Sequence, residues 1–101
     1  MATQFEWDPD KATRNLRKHG ISFELALRVF SDPFALTGPH SVEGGEQRWQ
    51  TLGLVEGYLL ILVAHAIRDD EEHGQLIDVI RIISARRADR KERQRYEEES
   101  R

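Results

Sequence analysis

The sequence predicts one domain of the α+β class, in which helices and strands occupy separate parts of the chain. Before residue 34, apolar side chains recur at the three- and four-residue spacing of helices, whereas from residue 47 to 85 they alternate or form continuous runs, as in strands. The 101 residues are too few for two independent hydrophobic cores, so residues 1–101 form a single domain. We expect an N-terminal strand and a helical hairpin packed on a small antiparallel sheet, followed by a C-terminal helix, with one sheet face left open to a ligand.

The N-terminal third predicts a short strand followed by two helices. Phe5-Glu6-Trp7 alternates as a strand does, and Asp8-Pro9 is typical of a helix start, with Asp8 as the capping residue. Gly20 would end this helix. Ser22 is placed to cap a second helix, which we expect to end at Asp32-Pro33.

The remainder of the chain predicts strands and one final helix. Gly38, Pro39, Gly44 and Gly45 indicate loops, and Glu56-Gly57 indicates a hairpin turn. We expect residues 68–74 to form an acidic connection between two strands. The expected elements are a strand at Gln47–Glu56, a buried strand at Tyr58–Ile67, a strand at Leu76–Ala85, and an exposed helix over Arg86–Ser100. We expect residues 97–101 to form a frayed tail.

Composition excludes several classes of protein. The absence of cysteine excludes a disulfide framework, a thiolate zinc site and a cysteine nucleophile, and it fits a reducing compartment. The N-terminus lacks the basic start and apolar run of a signal peptide. The longest apolar run, Tyr58–Ala64, is too short to cross a bilayer. We therefore expect a cytoplasmic protein with no membrane partner.

The net charge of −3 conceals an uneven distribution. Residues 32–80 carry two basic and nine acidic side chains, whereas Arg81–Arg95 holds seven basic and two acidic ones. The negative net charge argues against a nucleic-acid partner, but this dense basic segment is compatible with one.

Metal and cofactor motifs are missing. The four histidines, at positions 19, 40, 65 and 73, show no i,i+4 pair, and Asp69-Asp70-Glu71-Glu72 lacks the ligand spacing of a calcium loop. No glycine-rich phosphate-binding string is present. We expect no cofactor and no metal site.

Arginines are the main candidates for chemistry. Arg81 lies within an apolar strand, where an unpaired guanidinium is costly, so it must either pair with a carboxylate such as Glu46 or Asp78 or reach a solvated anion site. The same two interpretations apply to Arg48. Arg86 and Arg87 lie where the last strand ends, and Arg48, Arg81 and Arg86 together would form a cationic cluster suited to phosphate.

A second basic group lies on the first helix. Lys11, Arg14 and Lys18 share one helix face by their spacing, which equally suits a solvated face. His19 either bonds the hairpin loop or supplies an imidazole for acid–base chemistry near neutral pH. Tyr96 either stacks on a base or anchors the last helix to the sheet.

Several strings of the sequence resemble the BrnT-type toxins. They cover the chain from Phe5 to Tyr96 in the order and spacing of that family. The strings are Phe5-Glu6-Trp7-Asp8-Pro9-Asp10-Lys11, Asn15, Lys18-His19-Gly20-Ile21-Ser22-Phe23, then Ala26, Val29, Phe30 and Asp32, Glu46-Gln47-Arg48 with Gly53, and Arg81-Ile82-Ile83-Ser84-Ala85-Arg86-Arg87-Ala88 with Glu92 and Tyr96.

The resemblance implies the toxin of a type II toxin–antitoxin pair, with a RelE-like fold and metal-independent cleavage of RNA that stops translation. It implies a cognate, BrnA-like antitoxin, a heterotetramer of two toxins and two antitoxins, and contact with operator DNA only through the antitoxin. A non-enzymatic basic module, or a degenerate toxin that only binds a partner protein, is the alternative.

Metal-free RNA cleavage requires removal of the 2′-hydroxyl proton, stabilisation of the phosphorane charge and protonation of the leaving oxygen. We assign the charge stabilisation to Arg48, Arg81 and Arg86. The base stays open among His19, Glu46 and Lys18. The expected RNA contacts are Lys18, Arg87 and Tyr96, the last as a stacking or acid group.

Overall fold

The computed structural model describes residues 2–100, which form a five-stranded sheet and three α-helices. This architecture confirms the α+β class. In chain order the elements are β1 (Ala2–Glu6), α1 (Pro9–His19), α2 (Phe23–Ala26), a 3₁₀ helix (Leu27–Ser31), β2 (Leu36–Glu43), β3 (Glu46–Val55), β4 (Leu59–Glu72), β5 (Gln75–Arg87) and α3 (Arg90–Glu99).

The strand order is β1-β5-β4-β3-β2. Strands β2 to β5 form an antiparallel meander, as expected. The sheet as a whole is mixed, because β1 pairs with β5 in parallel, from Ala2 opposite Ile77 to Glu6 opposite Arg81. The helical hairpin carries the chain across one sheet face, from the β1 edge to the β2 edge. The expected antiparallel sheet is confirmed for β2 to β5, and the N-terminal strand joins it as a parallel edge strand.

Capping residues set the helix ends where the sequence predicts them. The Asp8 side chain accepts from the Asp10 N–H, the Ser22 hydroxyl accepts from the Leu25 N–H, and Gly20 ends α1 in the left-handed conformation. The second helix is shorter than expected, because it changes to 3₁₀ geometry after Ala26.

Two predicted loops are strands. Strand β2 passes through Gly38 and Pro39, and it tolerates proline because it lies at the sheet edge, where one side of the backbone has no ladder partner. Strands β4 and β5 continue through the acidic connection to a turn at His73-Gly74. Both turn residues have positive φ, 53° and 78°, which matches the right-handed twist of a long hairpin.

The two faces of the sheet are covered unequally. The helical hairpin packs against one face, which we call the helical face, through Ile21, Phe23, Ala26 and Val29. Gly53 of β3 makes this packing close, since a Cβ there would lie 2.7 Å from the Cβ of Val29. The opposite face, called here the open face, is covered at one end only, where Tyr96 of α3 packs with Leu52, Leu60 and Leu62.

Helix α3 is fixed at both ends. Its N-terminus has a capping box between Asp89 and Glu92. Near its C-terminus the Tyr96 hydroxyl donates to Asp32 Oδ2 at 2.6 Å, and the Ser100 hydroxyl donates to the Phe34 carbonyl. Residues 97–99 are helical where fraying was expected, and Arg101 lies outside the described residues.

Asp32 joins three segments of the chain. It accepts from the Phe34 N–H, the Leu54 N–H and Tyr96. Burial acts to raise the pKa of Asp32, but these three hydrogen bonds outweigh it and hold the pKa below its usual value. Burial and the bond to Asp32 raise the pKa of Tyr96 to about 12. No helix within residues 2–100 has the length and apolar character to cross a membrane.

One histidine belongs to the core of the helical face. His65 is 1% exposed, packs edge-on against Phe30, and shares a 2.8 Å hydrogen bond with the Thr51 hydroxyl, which bonds Thr37 in turn. Its Nδ1 has no hydrogen-bond partner among residues 2–100. Burial lowers the pKa of His65 from 6.5 to about 4, so the folded protein holds this ring neutral.

We expect the free energy of unfolding to decrease as the pH falls from about 6.5 to about 4. In this range His65 binds a proton in the unfolded chain but stays neutral in the folded protein. The stability is fully present above pH 6.5, and the loss on reaching pH 4 is about 3 kcal/mol. Urea unfolding across this range measures it. His65→Gln retains a polar partner for Thr51 without titrating, so its stability should vary less with pH. Equal slopes for the two proteins would contradict the assignment.

Candidate functional site

A row of four residues crosses the open face at right angles to the strands. Gly38 of β2 pairs with Gln50 of β3, Gln50 pairs with Ala64 of β4, and Ala64 pairs with Ser84 of β5. Three of these residues are small, so the row forms the floor of a groove. We call it the groove floor.

A β-bulge in β5 places the arginines on the open face. Ala64 pairs with Ser84, but the next residue, His65, pairs with Ile82, which leaves Ile83 as the extra residue. Strict alternation would put Arg81 and Arg86 on opposite faces, whereas the extra residue brings both to the open face. The predicted convergence of arginines on one sheet face is therefore built by this bulge.

One wall of the groove contains a cluster of two arginines and one glutamate. Arg81 makes a bidentate pair with Glu46, with N–O distances of 2.6 and 3.2 Å. The Nε of Arg48 lies 3.5 Å from the same carboxylate and is buried, and within the described part of the chain it has no hydrogen-bond partner of good geometry. The hydrogen bond from Arg81 is the main cause of the lowered pKa of Glu46, and Arg48 adds to it. Glu46 is thus a weak base.

Arg86 forms the other wall. It makes a second bidentate pair, with Glu92 of α3, at 2.8 and 2.9 Å. This pairing raises the pKa of Arg86 and lowers that of Glu92. Glu92 also closes the capping box of α3, so one carboxylate fixes both the helix start and the arginine.

The end of α1 closes the groove at the β5 edge. Strand β1 ends opposite Arg81, so the backbone of β5 beyond this point has no strand partner on that side. The buried side chain of Asn15 takes this place: its Oδ1 accepts from the Ala85 N–H at 3.0 Å, and its Nδ2 donates to the Ala85 carbonyl at 2.8 Å and to the Ile21 carbonyl at 3.0 Å. These bonds hold the last turn of α1 beside the strand.

A cavity of about 430 Å³ results from this arrangement. It lies over the groove floor and holds two histidines and two cationic side chains. Its lining residues are Lys18, His19, His40, Gln50, Leu62, Ala64, Ser84, Ala85 and Arg86. A neighbouring hollow of about 220 Å³ adds Lys11 and Arg14 beside Ile83, so the basic face of α1 continues the groove beyond the sheet edge.

The structure brings together most of the predicted site residues. Lys18, His19 and Arg86 share the cavity, and Arg48, Arg81 and Glu46 form the opposite wall. Of the two interpretations of Arg81, the pairing with Glu46 is confirmed. Its use as an anion site stays a prediction, which its place on the open face allows.

Arg87 and Tyr96 lie outside the groove. Arg87 pairs with Ile61, whose side chain lies in the core of the helical face, so strand alternation turns Arg87 away from Arg86. Tyr96 has the geometry of the anchor, since its ring packs in the cluster under α3 and its hydroxyl is bound to Asp32.

Three groove residues were given no role from the sequence. Asn15 is the sole asparagine of the chain and sits in mid-helix, where asparagine is unfavourable unless its side chain has a specific partner. This unusual position could have indicated a structural role for Asn15. Gln50 and His40 carried none, because only the sheet register places them at the cavity. Within residues 2–100 no group of three or more His, Cys, Asp or Glu side chains is arranged to hold a metal ion.

These features define a small α+β protein that presents cationic side chains across the open face of one sheet. The fold is similar to the 1.1 Å crystal structure of the ribonuclease toxin BrnT from Brucella abortus, with a TM-score of 0.57 and 21% sequence identity over 89% of this chain and 100% of that one. Among curated proteins, none matches the sequence.

The family model of the BrnT ribonuclease toxins of type II toxin–antitoxin systems matches residues 7–92. The chain therefore belongs to the BrnT family of ribonuclease toxins. Membership confirms the resemblance and implies both ribonuclease activity and a cognate antitoxin. The RelE-like relationship stays a prediction.

We expect Asn15→Ala to lower the free energy of unfolding by about 2–4 kcal/mol, because three backbone groups lose their partner, two of them at Ala85. Urea unfolding measures the effect. Arg17→Ala, at an exposed position of the same helix, is the matched control and should change stability by less than about 0.5 kcal/mol. Equal stabilities of the two variants would contradict the role given to Asn15.

Proposed function

We propose that this protein is a metal-independent endoribonuclease toxin that binds RNA along the groove, cleaves it there and so inhibits translation. The observation that supports this proposal best is the groove itself, in which cationic walls flank a floor of small residues. A flat floor suits a single strand, whose backbone phosphates are attracted by arginine and lysine.

The arginines are suited to stabilise the charge of the transition state. Arg86 and Arg48 each lie two residues along a strand from the groove floor, about 7 Å from it. A phosphate held over Ala64 would thus have guanidinium groups on both sides, with Arg81, opposite Ala66 of β4, on the same side as Arg48. Planar, always-charged groups match the equatorial oxygens of a phosphorane.

Carboxylates hold these arginines in place. Glu46 and Glu92 each form a bidentate pair, which orients the guanidinium before RNA arrives. Because Glu46 is held in its charged, weakly basic form by Arg81, we propose that it positions Arg81 and Arg48. The proton of the 2′-hydroxyl then goes to His19, and Lys18 beside it binds the RNA backbone.

We further propose that a BrnA-like antitoxin neutralises the toxin by covering this groove, in a heterotetramer of two toxins and two antitoxins. Operator DNA would be contacted only through the antitoxin. The cations at the α1 end of the groove, Lys18 with Lys11 and Arg14 of the neighbouring hollow, favour an acidic antitoxin segment as the occupant that excludes RNA.

We expect Arg81→Ala and Arg86→Ala each to slow RNA cleavage by about 10²–10³-fold, because each removes a group that stabilises developing charge. Primer extension on RNA in the presence of a chelator measures the rate. Arg28→Ala is the matched control, since Arg28 also pairs with a carboxylate, Glu56, but lies away from the groove. It should retain full activity.

Three results would count against this proposal. Folded variants of Arg81 and Arg86 that both cleave at the control rate would show that the site is elsewhere. Cleavage by the unsubstituted protein that stops on addition of chelator would contradict metal independence. Tight antitoxin binding without any RNA cleavage would indicate a module that only binds its partner.

A further inference from the structure

We propose that His40 is the general acid of the RNA cleavage reaction, opposite His19 as the general base. This inference rests on the proposed function and completes it, since no group assigned there protonates the leaving 5′-oxygen, and Tyr96, the acid candidate named from the sequence, lies outside the groove. The structure adds a histidine at the groove that the sequence pattern did not single out.

The position of His40 is set by an irregularity of β2. Pro39 pairs with Trp49 and Ser41 pairs with Arg48, so His40 is an extra residue between them without a partner on β3. Its side chain is exposed and lines the same cavity as His19. Gly38 lies on the open face, so alternation along β2 turns His40 to the same face, and the bulge brings Ser41 there as well, opposite Arg48.

The two histidines stand at opposite ends of the groove floor. His19 lies at the Ser84 end, beside β5, and His40 lies at the Gly38 end, on β2. The floor crosses four strands, which at about 4.8 Å per step separates its ends by about 14 Å. Side chains that reach inward from both ends leave a space of the size of one phosphodiester, with one imidazole on each side.

This placement fits in-line cleavage of RNA. Neutral His19 takes the 2′-hydroxyl proton as the 2′-oxygen bonds to phosphorus, and protonated His40 gives its proton to the 5′-oxygen as the phosphorus–oxygen bond breaks. The products are a 2′,3′-cyclic phosphate and a free 5′-hydroxyl. No water, metal or cofactor enters the balance, and exchange of protons with solvent restores both histidines.

Among the side chains that line the cavity, the imidazoles of His19 and His40 are the groups suited to proton transfer. The charged side chains that face the cavity are Lys18 from α1 and Arg86 from β5, the latter paired with Glu92 of α3. No carboxylate belongs to the cavity lining in residues 2–100. Lysine and arginine are cationic near neutral pH, so proton exchange falls to the imidazoles.

A sulfur-substituted substrate tests the assignment. In RNA with a 5′-bridging sulfur at the cleaved linkage, the leaving thiolate needs no proton donor. We expect His40→Gln to slow cleavage of ordinary RNA by about 10²–10⁴-fold, and cleavage of the sulfur-linked RNA by less than about tenfold. His19→Gln should slow both substrates equally. His73→Gln, at the exposed hairpin turn, is the control and should match the unsubstituted protein on both.

The outcomes separate this inference from the proposed function. If His40→Gln cleaves ordinary RNA at the control rate, or loses the same factor on both substrates, His40 is not the acid and the ribonuclease proposal stands. If the unsubstituted protein cleaves neither substrate, the proposed function fails and this inference fails with it.

Discussion

The site depends on the contact between the Asn15 side chain and the Ala85 backbone. Strand β5 loses its β1 neighbour after Arg81, and an unpaired N–H and C=O there would cost about 1–3 kcal/mol each if buried. Asn15 satisfies both groups, as a neighbouring strand would, and also binds the Ile21 carbonyl. The same bonds that complete the sheet edge therefore bring Lys18 and His19 to the end of the groove.

Charge in the groove is balanced locally rather than over the whole chain. Arg81 and Arg48 share Glu46, and Arg86 has Glu92, so the guanidinium groups are oriented without being left unpaired. A phosphate that replaces or joins these carboxylates meets preorganised donors, and little reorganisation is needed when charge develops. The net charge of −3 then limits nonspecific attraction to nucleic acid at a distance, while the groove retains its local cations.

Sequence reasoning predicted the features that local chemistry determines. The caps at Asp8 and Ser22, the Glu56-Gly57 turn and the buried strand β4 follow from residue types and their spacing. Features set by the register of distant strands could not be predicted: the parallel pairing of β1, and the bulges at Ile83 and His40. Arg87 was placed with Arg86 because the strand was expected to end at Ala85, whereas β5 continues to Arg87 and alternation turns this side chain away from Arg86. His40 was not placed at all, because the bulge in β2 depends on its pairing with β3.

If the groove binds RNA as proposed, the strand lies across the open face of the sheet, over Ser84, Ala64 and Gln50. The most direct measurement is an NMR titration of the protein with a single-stranded 2′-O-methyl RNA oligonucleotide, which lacks the attacking hydroxyl and so is not cleaved. We expect the largest backbone chemical-shift changes at these residues and at Lys18 and His19. Changes concentrated on the helical hairpin, with the groove floor unaffected, would contradict it.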